Sequence, residues 1–245
     1  TRSRAMRITL QPAVVLHRRP YRDTSLLVEA LTRDHGRIGL VGRGMRGASN
    51  RRRGLLRPFL PVLLSWSGTG DLYTLTGAEE TGQALDPPPR RLLSGLYLNE
   101  LLYRLLTRHD PQPELFQRYL AALAALASGL DEETVLRVFE KHLLAILGYG
   151  LLLDREADDG FPIDPHRGYH YALDHGPRRE PLADSLPIAG RSLLALADEV
   201  DLIDPEIRRE VKRLTRAAIA RQLDGRTLQT RELAKARRAP HENRE

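Results

Sequence analysis

Three consecutive prolines, Pro87-Pro88-Pro89, interrupt this chain directly after Asp86. They offer no amide donor to a strand ladder and cannot sit inside a helix, so no regular element crosses them. The two sides also differ in period: apolar residues recur about every second position before the break and about every 3.6 positions after it. The reading is therefore α+β, with a strand-rich domain over residues 1–83 and a helical domain over 84–245. A length of 245 residues accommodates two such domains.

The first domain predicts five short strands. They are Ala13 to His17, ending at Arg18-Arg19-Pro20; Ser25 to Thr32; Arg37 to Val41, returned by the turn Arg33-Asp34-His35-Gly36; Phe59 to Trp66; and Asp71 to Thr76. Five closely spaced strands without a crossover helix suit a small barrel, with the OB-fold as the leading candidate. In the second domain, helices are expected from Leu92 to Leu105, from Pro113 to Gly129 and from Asp131 to Gly148. Two more are expected over Arg191 to Val200 and Pro205 to Leu223. Residues 154–187, rich in Gly, Pro, Asp and His, read as an irregular insert with a hairpin around Tyr169-His170-Tyr171. The tail from Leu228 to Arg238 reads as a short basic helix that frays.

The formal net charge is +6 and nearly all positive charge is arginine. Arginine binds phosphate bidentately and stacks on bases, which suits a polyanionic partner; a solvated arginine-rich surface accounts equally well for composition alone. Absence of cysteine excludes disulfides and thiolate zinc sites. No stretch has the apolar length of a membrane span, and the basic start lacks the apolar core of a signal peptide. The expected location is cytoplasmic.

The sharpest local feature runs from Arg43 to Arg57 and contains no acidic residue. Its glycines and Ser49-Asn50 predict a mobile loop between two barrel strands, the place where OB-folds bind nucleic acid. The candidate nucleic-acid-binding residues are Arg18, Arg19, Tyr21, Arg22, Arg37, Arg43, Arg46, Arg51, Arg52, Arg53 and Arg57, with Tyr21 the candidate for base stacking. Gly42-Arg43-Gly44-Met45-Arg46-Gly47 matches a dinucleotide fingerprint, but no crossover helix is expected to follow it, so the match is rejected. His166, His170 and His175 with Asp164 and Asp174 fit no standard zinc spacing. No nucleophile triad or phosphate loop is present. The chain is read as a binding protein without catalytic residues, metal or cofactor.

Several segments together resemble the RecO family of DNA repair proteins. They are Val15-Leu16-His17-Arg18-Arg19-Pro20-Tyr21, Asp23-Thr24-Ser25-Leu26-Leu27, Gly36-Arg37, Leu40-Val41-Gly42-Arg43-Gly44 and Leu56-Arg57-Pro58-Phe59. Beyond the prolines come Gly95 to Leu102, Leu136-Arg137-Val138-Phe139-Glu140, Leu147-Gly148-Tyr149-Gly150 and Thr230-Arg231-Glu232-Leu233. Their order along nearly the whole chain is what is specific. The resemblance implies an N-terminal OB-fold, a helical domain, and an insert that in many relatives is a four-cysteine zinc module; here, without cysteine, that module must be metal-free or held by packing. It also implies binding of single- and double-stranded DNA, annealing of complementary strands, recognition of the acidic C-terminal tail of single-stranded-DNA-binding protein (SSB), and, with RecR, help for RecA in loading onto SSB-coated strands. For the tail, an apolar pocket with an arginine at its lip is expected at Leu136, Arg137, Phe139, Leu143 and Leu144. An RNA-binding OB protein and a protein-interaction scaffold stay open as alternatives.

Overall fold

The computed structural model describes residues 6–47 and 51–238. The chain packs as two compact units, one formed by residues 1–128 with 227–245 and the other by 129–226. The second unit is thus an insertion in the sequence of the first. The division expected at residue 83 separates strand-rich from helix-rich sequence; the compact units divide elsewhere.

In the first unit, strands β1 (Met6–Tyr21), β2 (Ser25–Thr32), β3 (Gly36–Gly42), β4 (Pro61–Gly68) and β5 (Leu72–Glu80) close a barrel in the order β1-β2-β3-β5-β4. All neighbours are antiparallel except β3 and β5, which join in parallel at Gly39–Leu72, Leu40–Tyr73 and Val41–Thr74. Alternate residues fill the barrel: Val15, Val28, Ala30, Ile38, Leu40, Leu64 and Trp66 are all fully buried. At about 25 cal/mol per Å² of apolar area, this filling is the main stabilisation of so small a barrel.

β1 is much longer than the expected strand at Ala13–His17. It pairs with β4 through Val14 and with β2 from Ala13 onward, with register shifts between Ile8 and Gln11 and between Val15 and His17. Such bulges bend a strand, and here they carry β1 from one neighbour to the other. Pro20 sits where β1 pairs only with β2, opposite Leu26, so its missing amide breaks no bond.

Helices α2 (Leu92–Leu105) and α3 (Pro113–Ser128) belong to the barrel's unit. The Asn99 side-chain amide donates to the Leu16 carbonyl at 3.1 Å, and the Tyr119 hydroxyl donates to Asn99 Oδ1 at 2.6 Å. The last helix, α7 (Gln229–Arg238), was expected to be a loose tail; it is instead docked on α2. The Glu100 carboxylate accepts from the Gln229 and Thr230 amides at 2.8 and 2.9 Å, satisfying donors at the α7 N-terminus. Arg231 donates to the Tyr97 hydroxyl at 2.9 Å and lies over its ring.

The second unit contains α4 (Glu132–Ile146), the strands β6 (Gly168–Ala172), β7 (Gly176–Arg178) and β8 (Leu186–Ala189), and helices α5 (Gly190–Ala197) and α6 (Pro205–Leu223). The insert is more regular than expected: it is a three-stranded antiparallel sheet, ordered β7-β6-β8. Tyr169 and Tyr171 alternate into a core shared with Ile188, Leu193, Leu196, Val211 and Leu214. The Tyr169 hydroxyl donates to buried Glu156, which also accepts from Arg179. Packing and this polar pair hold the module without thiolates. Among the described residues, no group of three or more His, Asp or Glu is arranged to hold a metal: Asp174 pairs with Arg221, and Asp164 accepts from the His166 amide. No described helix is long and apolar enough to cross a membrane.

Candidate nucleic-acid interface

Between β3 and β4 the chain was expected to be a mobile loop. Its described part is anchored at three points, and residues 51–55 form a short helix, α1 (Arg51–Leu55). Met45 and Leu56 are buried in the barrel core. A Cβ on Gly42 would lie 2.8 Å from the Met45 sulfur, so this glycine is what lets Met45 fold back under the strand end. Ala48, Ser49 and Asn50 lie outside the described residues, as do the side chains of Arg51 and Arg52. The helix begins beyond the glycines of residues 42–47, and the strands form a closed barrel, so no helix N-terminus meets a dinucleotide there.

The anchors are arginines bonding backbone carbonyls. Arg46 donates from Nη1 to the carbonyls of Arg22 and Asp23 at 3.1 and 3.3 Å, while its amide donates to Thr24 at 2.9 Å. Arg53 donates to the Arg46 carbonyl at 3.2 Å. Arg18 donates to the carbonyls of Arg53 and Leu56, both at 3.0 Å. The turn between β1 and β2 and the segment between β3 and β4 are thereby tied into one barrel rim carrying Arg18, Tyr21, Arg22, Arg43, Arg46 and Arg53.

Arg22, Arg43 and Arg46 are exposed on this rim, and Arg18, Tyr21 and Arg53 are half-buried. Arg22 lies over the Tyr21 ring at 5.2 Å. Burial, then the neighbouring Arg53 guanidinium, lowers the pKa of Arg18 from its ordinary value. Like charges held this close to one another favour an anion between them. Trp66 and Tyr73, two further aromatic residues of the barrel, are buried within it.

Three candidates stand apart from this group. Arg37 is at the opposite end of β3, where it donates to Glu29 at 2.7 Å and to the Leu106 carbonyl, and it is only 14% exposed. Arg57 forms an ion pair with Asp86 at 2.7 Å. Arg19 is exposed on β1 on the strand face opposite Arg18. The residues that sequence reasoning missed are the acids Glu29 and Asp86, which neutralise two of the chosen arginines.

In the second unit, Leu136, Arg137, Phe139, Leu143 and Leu144 all lie on α4 and all are buried. Arg137 was expected at the lip of a pocket. It is 2% exposed, with Nη1 3.0 Å from the fully buried Glu140 carboxylate and 3.2 Å from Thr215 Oγ1. The sign of the charge also separates the units. The first carries 24 Lys and Arg against 13 Asp and Glu, a net of +11; the second carries 14 against 19, a net of −5. The field that attracts a polyanion belongs to the barrel's unit.

The sequence matches known proteins over both halves of the chain. Residues 6–83 match the family described as Recombination protein O N terminal, and residues 88–232 match Recombination protein O C terminal. The DNA repair protein RecO of Nitrosococcus oceani is 46% identical over 230 residues, covering 93% of each chain. The proteins of the same name from Methylococcus capsulatus and Alkalilimnicola ehrlichii are 47% and 48% identical, each over 93% of this chain and over 93% and 91% of their own lengths. With an OB-type barrel, the helices that follow it and near full-length identity of this order, the chain belongs to the RecO family.

Proposed function

We propose that this chain is a recombination mediator of DNA repair that binds single- and double-stranded DNA on the barrel rim and is not a catalyst. The observation that carries the reading is the tied rim of Arg18, Arg22, Arg43, Arg46 and Arg53 on a unit of net charge +11. Arg22, Arg43 and Arg46 are exposed residues with Tyr21 beside Arg22, a combination suited to a phosphate backbone and a stacked base. Arg51 and Arg52 extend the same acid-free sequence. Two strands held on one basic surface repel each other less and sample pairing, so annealing needs no nucleotide and no metal.

Within the same proposal, the chain acts with RecR to help RecA load on SSB-coated single strands, in the cytoplasm near the nucleoid. Family membership supports these partners. Recognition of the SSB tail at Leu136, Arg137, Phe139, Leu143 and Leu144 takes a specific form given their burial: the tail carboxylate must displace Glu140 from Arg137 to be bound there.

A fluorescence titration with a short single strand at two salt concentrations tests the DNA reading. The log-log salt slope should be roughly −0.7 per phosphate neutralised on a single strand. Changing Arg22, Arg43 and Arg46 together to alanine should flatten the slope by about two units and weaken binding to all sequences alike. Unchanged slope and affinity would remove the rim from DNA binding. Tighter binding of a matched RNA oligomer would favour the RNA-binding alternative.

A further inference from the structure

Tyr21 of the rim is also one end of a second line of side chains. β1 and β2 pair without a break from His17–Glu29 to Tyr21–Ser25. Val28, opposite Arg18, fills the barrel, so the alternate residues His17, Arg19 and Tyr21 line the outer face of the strand. At about 3.3 Å per residue, this line runs roughly 13 Å from Tyr21 to His17.

Helix α2 continues it. His17 stacks on Tyr103 with the two rings 28° from parallel. The guanidinium groups of Arg37 and Arg104 lie 5.4 and 5.7 Å from the centre of the same tyrosine ring. Cation–π contact thus holds both cations against the helix, beside His17.

The charge here is not cancelled within the protein. Glu29 is shared between Arg37 and Arg108. Glu100 lies 3.8 Å from Arg104 Nε, and its two oxygens already accept from the Gln229 and Thr230 amides. Arg19 is exposed, and among the described residues no carboxylate lies within ion-pair distance of it. Four guanidinium groups therefore share two carboxylates. In each pair the acid is the more buried member, 5% exposed against 32% for Glu29 and Arg108 and 12% against 30% for Glu100 and Arg104. The side turned to solvent is cationic, and it attracts a polyanion.

Continuity selects the polyanion, because the line starts at Tyr21 and Arg22, where the rim holds a nucleic-acid strand. We infer that a single DNA strand leaving the rim at Tyr21 follows the outer face of β1 past Arg19 and His17 to Arg104 on α2, held there by its phosphates. The path rests on the DNA reading of the rim and extends it. It also couples binding to a proton. The groups facing His17 are Arg19 on β1, Glu29 on β2, Arg37 on β3 over the Tyr103 ring, and Tyr103 and Arg104 on α2. Burial and then Arg19 keep the free ring neutral, whereas a phosphate beside it favours the imidazolium. Binding then takes up a proton, and affinity rises as pH falls toward the ordinary histidine value of about 6.5.

An anisotropy titration of the full chain with a labelled strand of about sixteen thymines, the upper end of the range one barrel covers, tests the path at several salt concentrations. Arg19→Ala with Arg104→Gln should flatten the log-log salt slope by about 1.4, two phosphates at about 0.7 each, with the melting temperature unchanged. If that variant melts lower, Arg19→Ala alone should flatten the slope by about 0.7. Lowering the pH from mildly alkaline to mildly acidic should tighten binding, and His17→Gln should remove that gain. A slope flattened by the rim variant of Arg22, Arg43 and Arg46 but unchanged by Arg19→Ala with Arg104→Gln would end the strand at the rim, overturning the path and leaving the DNA reading in place. A slope changed by neither variant would overturn both. A gain on acidification that His17→Gln keeps would also overturn the path. Polyglutamate that binds the unmodified chain more tightly than the strand does, and loses that affinity in the Arg19 and Arg104 variant, would assign the line to an acidic protein segment instead.

Discussion

Arg18 donates to the main-chain carbonyl of Arg53 at 3.0 Å, so one basic residue of the rim holds another in place. The same guanidinium reaches the Leu56 carbonyl. Its side chain is thus a strut under α1 as well as a charge. Arg18→Ala should lower stability by about 1.5–3 kcal/mol, the range for hydrogen bonds involving a charged group, and should weaken DNA binding more than loss of one phosphate contact predicts. Arg18→Lys keeps the charge but not the forked geometry. It should recover the salt slope without recovering amide protection of Leu56, as hydrogen exchange would read. Full protection in Arg18→Ala would contradict the strut.

Arg37 gives the opposite expectation. Its charge is committed to Glu29, a carboxylate only 5% exposed that also accepts from Arg108. Arg37→Ala leaves Glu29 with one cation and should cost about 2–3 kcal/mol of stability in denaturant unfolding, while the DNA salt slope stays as in the unmodified chain. A flatter slope would return Arg37 to the interface.

His17 supplies a pH dependence. It stacks on Tyr103 with ring centroids 5.7 Å apart. Burial lowers its pKa first, then Arg19; Glu29 opposes, and Arg104 adds to the lowering. The facing groups are Arg19 on β1, Glu29 on β2, Arg37 on β3 over the Tyr103 ring, and Tyr103 and Arg104 on α2. A histidine with a depressed folded pKa favours the neutral form in the fold. Its contribution is complete above the unfolded value of about 6.5 and is lost as pH falls through the folded value. Unfolding measured between neutral and mildly acidic pH should show stability declining on acidification, and His17→Gln should reduce that decline. An identical profile in the variant would remove His17 as its source.

Much of this architecture could be read from side-chain period. Ser25–Thr32 and Gly36–Gly42 alternate into a barrel, and Pro113 and Asp131 mark helix starts that the structure keeps. Other features depended on distant partners. Pro20 reads as a strand end, yet β1 continues because only one side of the strand is paired there. Arg51 to Leu55 reads as a loop from its glycine and arginine content, yet Arg18, thirty-five residues away from Arg53, supports a helix. The α7 tail reads as loose until Glu100 is seen at its start. For Arg57 the counter-charge was close in sequence terms but hidden: Asp86 had been read only as part of the proline break.

Arg137 had a visible signal, because Glu140 lies three residues on, a spacing that pairs side chains on one helix face. Both are nearly inaccessible, at 2% and 0% exposure. Removing one partner strands the other: Arg137→Met alone should cost about 3–5 kcal/mol, while Arg137→Met with Glu140→Leu should cost far less. This pair also decides the tail question. If the SSB tail carboxylate binds Arg137, it competes with Glu140 for the same guanidinium. Glu140→Gln removes the competing charge and should then tighten a tail peptide about tenfold, or roughly 1.4 kcal/mol, and amidating the peptide's C-terminus should abolish that gain. A melting curve of Glu140→Gln shows whether the unit stays folded during the titration. Folded Glu140→Gln that binds acid and amide peptides as the unmodified chain does would place tail recognition away from α4.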